Sequence, residues 1–211
     1  LHTAYAFSVV GGIIISIMGI LITRPLLKLM NTPDNIIDLS ATYLCIYFAG
    51  LVFVFIYNVG AGILRAVGDS RRPLYFLILC CFINIILDII LIVFLKMGVA
   101  GAAIATTFSQ GISAVMVTVT LCRTTDIFRL RVKKIRFHAQ PMGMIVKIGL
   151  PAGLQSVMYS LSNVIIQSSL NTFGTETVAA WTAFSKIDAI YWMISGAFGI
   201  AITTFVGQNY G

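Results

Sequence analysis

Charge is what this sequence has least of: Asp, Glu, Lys and Arg make up 10% of its 211 residues, against about 25% in soluble domains. With 59% hydrophobic residues and a mean hydropathy of +0.99 spread along the chain, that scarcity excludes a water-soluble enzyme. It also excludes a soluble domain on one anchor, a disordered segment, collagen and a coiled coil. Acidic residues are the rarest, 7 against 14 basic ones. In a soluble chain the resulting charge of +7 would suggest a nucleic-acid partner. Here the basic residues gather between apolar runs, so no nucleic acid is expected. The cysteines, Cys45, Cys80, Cys81 and Cys122, lack C-x-x-C spacing, which removes a zinc site and a disulfide frame. The two histidines, His2 and His138, lie outside the apolar cores. No hydrolase elbow, phosphate loop, dinucleotide fingerprint or HExxH pair occurs. The expectation is no catalytic residue, no metal, no cofactor and no enzyme. An initiator Met, a basic n-region and a cleavage site are missing too, so no signal peptide is expected and the chain is read as starting within a longer protein.

What is present is a series of uncharged stretches: 3–23, 39–64, 73–95 interrupted by Asp88, 97–122, 148–175 and 189–211, the last starting as early as Thr177. Each is long enough to span hydrocarbon at about 20 residues per helix. None alternates with period 2, so helices satisfy their backbones in lipid. The predicted fold is all-α, polytopic, with six transmembrane helices. Six spans put both ends of the chain on one side. The loops of that side hold Arg65, Arg71, Arg72, Arg123, Arg129, Arg131, Lys133, Lys134, Arg136 and Lys147, ten basic residues; the opposite loops hold Arg24, Lys28 and Lys96. The positive-inside rule makes the richer side, and both chain ends, cytoplasmic. The basic stretch 123–147 divides the chain into 1–122, with four helices, and 148–211, with two. Phe128, Val132 and Ile135 within it share a helical spacing beside Arg129, Lys133 and Arg136, so it is either a surface helix on anionic lipid or a solvated linker. Glycines four apart, Gly149 with Gly153 and Gly207 with Gly211, are weak signals of close helix packing. Pro151 is either a first-turn residue or a kink.

Chemistry must come from polar residues inside the spans. Asp88 interrupts an otherwise uncharged helix, and a carboxylate in hydrocarbon is costly unless it faces a cavity or partner. Asn84 precedes it by four and shares its face. Asp88 lies seven residues before Leu95, and Thr106 seven after Val99 on the next, antiparallel helix. All three therefore sit roughly 10 Å below the turn between the helices at about 1.5 Å per residue. They form either a polar pocket or a hydrogen-bonded staple. Tyr43 and Tyr47 share a face of the second span, as belt residues or cavity lining. Lys186 and Asp188, two apart, cannot share a face, so no mutual ion pair is expected. Lys186 either snorkels or lines a cavity.

GILRAVGDSRRPLY, NIILDIILIV, GVAGAAIATTFSQ, GLPAGLQSVMYS and VGQNYG together resemble the multidrug and toxic compound extrusion (MATE) transporters, along the whole chain. The resemblance implies a twelve-span, two-lobe exporter of bulky, often cationic aromatic compounds, driven by proton or sodium antiport. This chain corresponds to spans three to eight, stretch 123–147 to the interlobe loop, and the partner is the rest of its own transporter chain. Membrane lipid and drug-like small molecules are the other expected partners, and a bacterial inner (plasma) membrane the location. The branch that resembles the DNA-damage-inducible transporters carries an Asn, Asp and Thr at Asn84, Asp88 and Thr106, implying cation or proton coupling there, with sodium an option at Asp88. The branch that resembles the norfloxacin exporter carries an acidic residue where this chain has Tyr159, which leaves Tyr159 as candidate cavity lining. A lipid-linked oligosaccharide flippase of related architecture is the alternative, its pyrophosphate needing a more cationic cavity, for which only Lys186 is offered; a membrane-embedded enzyme is the last of the three readings.

Overall fold

The computed structural model describes residues 1–30, 32–124, 128–171 and 173–210, apart from the side chains of Val132, Asn171 and Thr175. Among the described residues there are six helices long and apolar enough to cross a membrane, as the uncharged stretches predict, and no strand. They are α1 (His2–Leu29), α2 (Asp34–Ala66), α3 (Arg71–Asp88), α4 (Gly98–Arg123), α5 (Ala139–Asn171) and α6 (Thr175–Tyr210). After Asp88 the third span goes on as a π-helical segment, Ile89–Phe94, where the sequence predicts an uninterrupted helix. The chain forms two compact units, Leu1–His138 and Ala139–Gly211.

In the first unit α2 packs against α1 and α4, and α4 against α3. Lipid supplies no hydrophobic driving force between helices, so close approach at small residues does this work. A Cβ built on Gly12 would stand 2.8 Å from the Cα of Val52, one on Gly50 2.8 Å from the Thr107 side chain, and one on Gly60 2.8 Å from Val117. The predicted pairs behave differently. At Gly149, Gly153 and Gly207 an added Cβ meets nothing within 4 Å, and Gly211 lies outside the described residues. Within the first unit, close approach is thus made at glycines that face another helix. At the basic end of the unit, Tyr5, Tyr57, Leu64, Phe76, Val117 and Leu121 form an apolar core. Gly68, at φ +88°, ends α2 in a left-handed conformation that turns the Gly68 and Asp69 N–H groups onto the carbonyls of Arg65 and Leu64, both at 2.9 Å.

The stretch after α4 corrects both readings of it. Among its described residues the helical content is one 3₁₀ turn, Val132–Lys134, too short for an amphipathic surface helix, and the side chain of Val132 lies outside the described set. Nor is it a freely solvated linker. Leu130 is 2% exposed and belongs to the core, its N–H donates to the Leu121 carbonyl at 2.8 Å, and Phe128 and Ile135 pack at the core's edge. The Arg129 Nε donates to the Cys122 carbonyl at 3.1 Å, and the Arg131 N–H to His2 Nε2 at 3.1 Å. Leu130 escapes a periodicity argument because a buried loop residue has no periodic neighbours. The fifth helix also begins earlier than the uncharged count, at Ala139 rather than near 148, since a helix may carry Lys147 in a part that need not lie in hydrocarbon. Pro151 therefore stands in the helix interior, which removes the first-turn reading.

In the second unit α5 and α6 are joined through a turn in which Gly174 has φ +93°, and none of its described residues is buried.

Candidate functional site

Two polar stripes meet where α3 packs on α4. On α3, Cys80, Cys81 and Asn84 recur at helical spacing and Asp88 continues the same face; on α4, Thr106, Ser109, Gln110 and Ser113 follow the i, i+3, i+4, i+7 pattern of one face. Together with Leu77, these residues other than Asp88 line a cavity of about 180 Å³. The hydroxyls of Ser109 and Ser113 are satisfied on their own helix, donating to the carbonyls of Ala105 at 2.8 Å and Gln110 at 2.9 Å. Asn84 is not so satisfied: its Nδ2 is buried without a hydrogen-bond partner. Asp88 lies one turn beyond the cavity, toward the Lys96 turn, and its Oδ1 is likewise buried and unpartnered. Leaving such atoms without partners costs about 1–3 kcal/mol each, more for an ionised group. The two atoms stand on one face of the third span.

The π segment starts directly after Asp88. Its wider turn, with the Leu95 N–H bonded to the Ile90 carbonyl at 3.0 Å, shifts the register of the helix beyond the carboxylate, a distortion frequent at functional sites. Beyond it the chain reverses through Lys96, at φ +52°, and Gly98, at φ +54°. Leu91 and Met97 crowd Gly101 there, with an added Cβ 3.1 Å from each. Of the predicted triad, the structure thus brings Asn84 and Thr106 to one cavity and sets Asp88 beside it. The lining residues Ser109, Gln110 and Ser113 were missed, although their spacing from Thr106 is legible in the sequence. The π segment left no such signal.

The remaining candidates lie elsewhere. Tyr43 and Tyr47 do share a face, their rings stacked at 6.2 Å and 8°. Tyr43 lines an apolar pocket of about 420 Å³ with Leu27, Ile36, Leu39, Ser40, Leu44 and Val99, whereas Tyr47 is exposed; neither lines the Asn84 cavity. In the second unit Tyr159 lines a cleft of about 970 Å³ between α5 and α6, and Lys186 does not. Lys186 is exposed, and Asp188 accepts from Trp192 Nε1 at 3.1 Å instead of pairing with it. Among the described residues no group of three His, Cys, Asp or Glu side chains is arranged to hold a metal ion.

Comparison with known proteins gives this geometry a setting. The MatE family model matches residues 1–90 and 151–211. A "Probable multidrug resistance protein YpnP" of Bacillus subtilis (strain 168) is 34% identical over 199 residues, covering 92% of this chain and 43% of that protein. A protein named "FAD transporter" from Shewanella oneidensis is 27% identical, over 100% of this chain and 48% of its own length. A crystal structure of MATE in the bent conformation superposes with a TM-score of 0.79 at 26% identity, covering 96% of this chain and 44% of that one. The chain spans about half the length of the curated relatives it matches.

Proposed function

Because the chain belongs to the MatE family, a family of polytopic membrane transporters, we propose that the natural-length protein is a secondary active exporter of drug-like compounds and that Asp88 is its ion-coupling carboxylate. The observation that carries the coupling role is the pair of buried, unpartnered polar atoms, Asn84 Nδ2 and Asp88 Oδ1, beside a polar cavity within a span. A carboxylate there has two states of different charge. Bound to a proton or to sodium it can sit against apolar neighbours; ionised and empty it needs water or a polar contact. An ion gradient that fills and empties it therefore biases whatever two conformations treat those states differently. Thr106 and Asn84 supply neutral donors and acceptors at the same level, and the π segment gives the helix room to change register there.

The experiment is transport. The natural-length protein in proteoliposomes, given a proton or a sodium gradient, should export a fluorescent cationic dye in response to one of them; movement that ignores both gradients overturns the reading. A dinucleotide is the second reading, prompted by the relative named as a FAD transporter. Neither the Asn84 cavity nor the α5–α6 cleft is lined by a basic side chain that would hold its phosphates, so FAD should be moved poorly.

The ten-to-three distribution of loop basic residues supports a plasma membrane orientation with both ends of the chain cytoplasmic. Cysteines placed at Ser70 and Lys133 should be shielded from impermeant thiol reagents in intact cells, while those at Asp34 and Glu176 should be labelled; the reverse pattern would invert the topology.

A further inference from the structure

Two histidines tie the basic stretch to the start of α1, one from each side of the contact. His2, half-buried on α1, accepts the Arg131 N–H through Nε2 at 3.1 Å. One residue on, the buried Thr3 hydroxyl meets Nδ1 of His138 at 3.3 Å. Directly before Arg131, Leu130 is seated in the core with its N–H bonded to the Leu121 carbonyl. Residues 130–138 thus lie as a strap across the basic end of the first unit, fastened at both ends.

The two fastenings answer differently to a proton. A ring nitrogen that accepts a hydrogen bond carries no hydrogen of its own, so the His2 bond exists only with the neutral imidazole, protonated on Nδ1. An imidazolium donates from both nitrogens, and Nε2 would then turn an N–H toward that of Arg131. A hydroxyl both donates and accepts, so Thr3 keeps its contact with His138 in either charge state. One end of the strap therefore senses protons and the other does not. The surroundings act in the same direction. The charged and titratable groups that bear on the His2 ring are the Leu1 amino group beside it and Lys134, His138 and Arg131 on the strap. All are cations or become so as pH falls, and among the described residues no carboxylate is one of them. A charged His2 loses its hydrogen bond and stands among like charges.

We propose that residues 130–138 form a proton-loosened strap, closed while His2 is neutral and lifted as His2 takes up a proton, so that pH at the basic end of the first unit sets how much chain is free between α4 and α5. That stretch is the covalent link between the two compact units, and lifting it adds about 30 Å of extended chain at about 3.3–3.6 Å per residue. The closed strap binds the neutral ring, so closure is complete above the titration of a free imidazole, near pH 6.5, and is lost as pH falls through it. A ring that titrates normally when released, and is unable to protonate when strapped, makes opening about tenfold more favourable at pH 5.5 than at pH 7.5. The response needs no transport, so the proposal stands or falls separately from the exporter reading.

Hydrogen exchange tests it, on the natural-length protein in detergent at pH 7.5 and 5.5, with each amide's rate divided by its intrinsic rate at that pH. In the wild type, protection of residues 128–136 should fall about tenfold between the two, while that of α2 and α4 stays constant. His2→Gln keeps an acceptor that does not titrate and should abolish the fall, whereas His2→Leu, with no acceptor, should leave the strap poorly protected at both pH values. His138→Gln should retain the fall. Wild-type protection that ignores pH overturns the proposal, and so does a fall shared by α2 and α4, which marks general unfolding. A fall that persists in His2→Gln, one that vanishes in His138→Gln, or full protection in His2→Leu overturns it equally. Should His2→Gln fold poorly, seen as lost protection in α2 and α4, Lys134→Gln decides. Removing a cation beside His2 eases its protonation, so the midpoint of the fall must move to higher pH, and an unmoved midpoint sinks the strap.

Discussion

The two units have the same ingredients and use them differently. In the first, four helices bury an apolar core and bring glycines against neighbouring backbones and side chains; in the second, two helices of comparable length bury none of their described residues, and their described glycines meet no other atoms within 4 Å. Both consist of apolar spans, so hydropathy is not the cause. Packing in lipid needs a partner surface at the right distance and small residues opposite it, and two antiparallel helices offer each other one face only. The same contrast holds for polar groups. At the α3–α4 contact two buried atoms, one in and one beside a cavity of about 180 Å³, lack partners, whereas in the α5–α6 cleft the carboxylate is bonded and the space is several times larger.

The sharpest way to break this division is Asp88→Asn in the natural-length protein. It should reduce gradient-driven dye efflux by about a hundredfold or more while expression and insertion stay near wild type, since a neutral amide costs less to bury than a carboxylate. Efflux at the wild-type rate with unchanged pH and sodium dependence would make Asp88 a staple between α3 and α4. Next in size is the packing contrast. Gly60→Leu drives a side chain into Val117 and should destabilise the protein by about 1–3 kcal/mol, read as a fall in the thermal midpoint in detergent, whereas Gly62→Ala on the same helix, where an added Cβ meets nothing within 4 Å, should shift it little or raise it, a glycine in a helix interior costing about 0.5–1 kcal/mol relative to alanine. Equal falls for the two would show that the close approach at Gly60 is not what holds α2 on α4.

Leu130→Ala should cost about 2–5 kcal/mol if the leucine is as firmly seated as its burial indicates, and protease access to the stretch around it should rise in parallel. A change under about 0.5 kcal/mol would return the stretch to a plain linker. The smallest effect is expected at the Arg24–Asp38 pair, 2.9 Å apart but with side chains 72% and 78% exposed. Arg24→Ala should alter the thermal midpoint by no more than an exposed ion pair contributes, about 0–1 kcal/mol, and a larger loss would mean that the pair holds α1 and α2 in place.

Much of the candidate site was legible before any coordinates, for a physical reason. A charge in a membrane helix is conspicuous because the solvent makes it expensive, so Asp88 stood out, Asn84 followed from the helical repeat, and equal distances from a tight turn placed Thr106 at their depth. Ser109, Gln110 and Ser113 were present in the same repeat but neutral hydroxyls and amides are common enough in spans to pass unnoticed. Asp188 is visible as a charge in the sixth span, but its hydrogen bond from Trp192 and the meeting of Trp192 with Tyr159 depend on side-chain directions and on which faces meet.

By itself the sequence determined the number, length and helical nature of the spans, because hydrocarbon leaves the backbone no other way to satisfy its hydrogen bonds, and it fixed which residues would be costly there. The tertiary structure alone decided which helix faces touch, that Leu130 folds back onto the core, that α3 widens into a π segment after Asp88, and that Tyr159 meets Trp192. Lipid and protein interior are equally apolar, so the residue pattern that drives a span into the membrane carries almost no information about which of its sides another helix will cover.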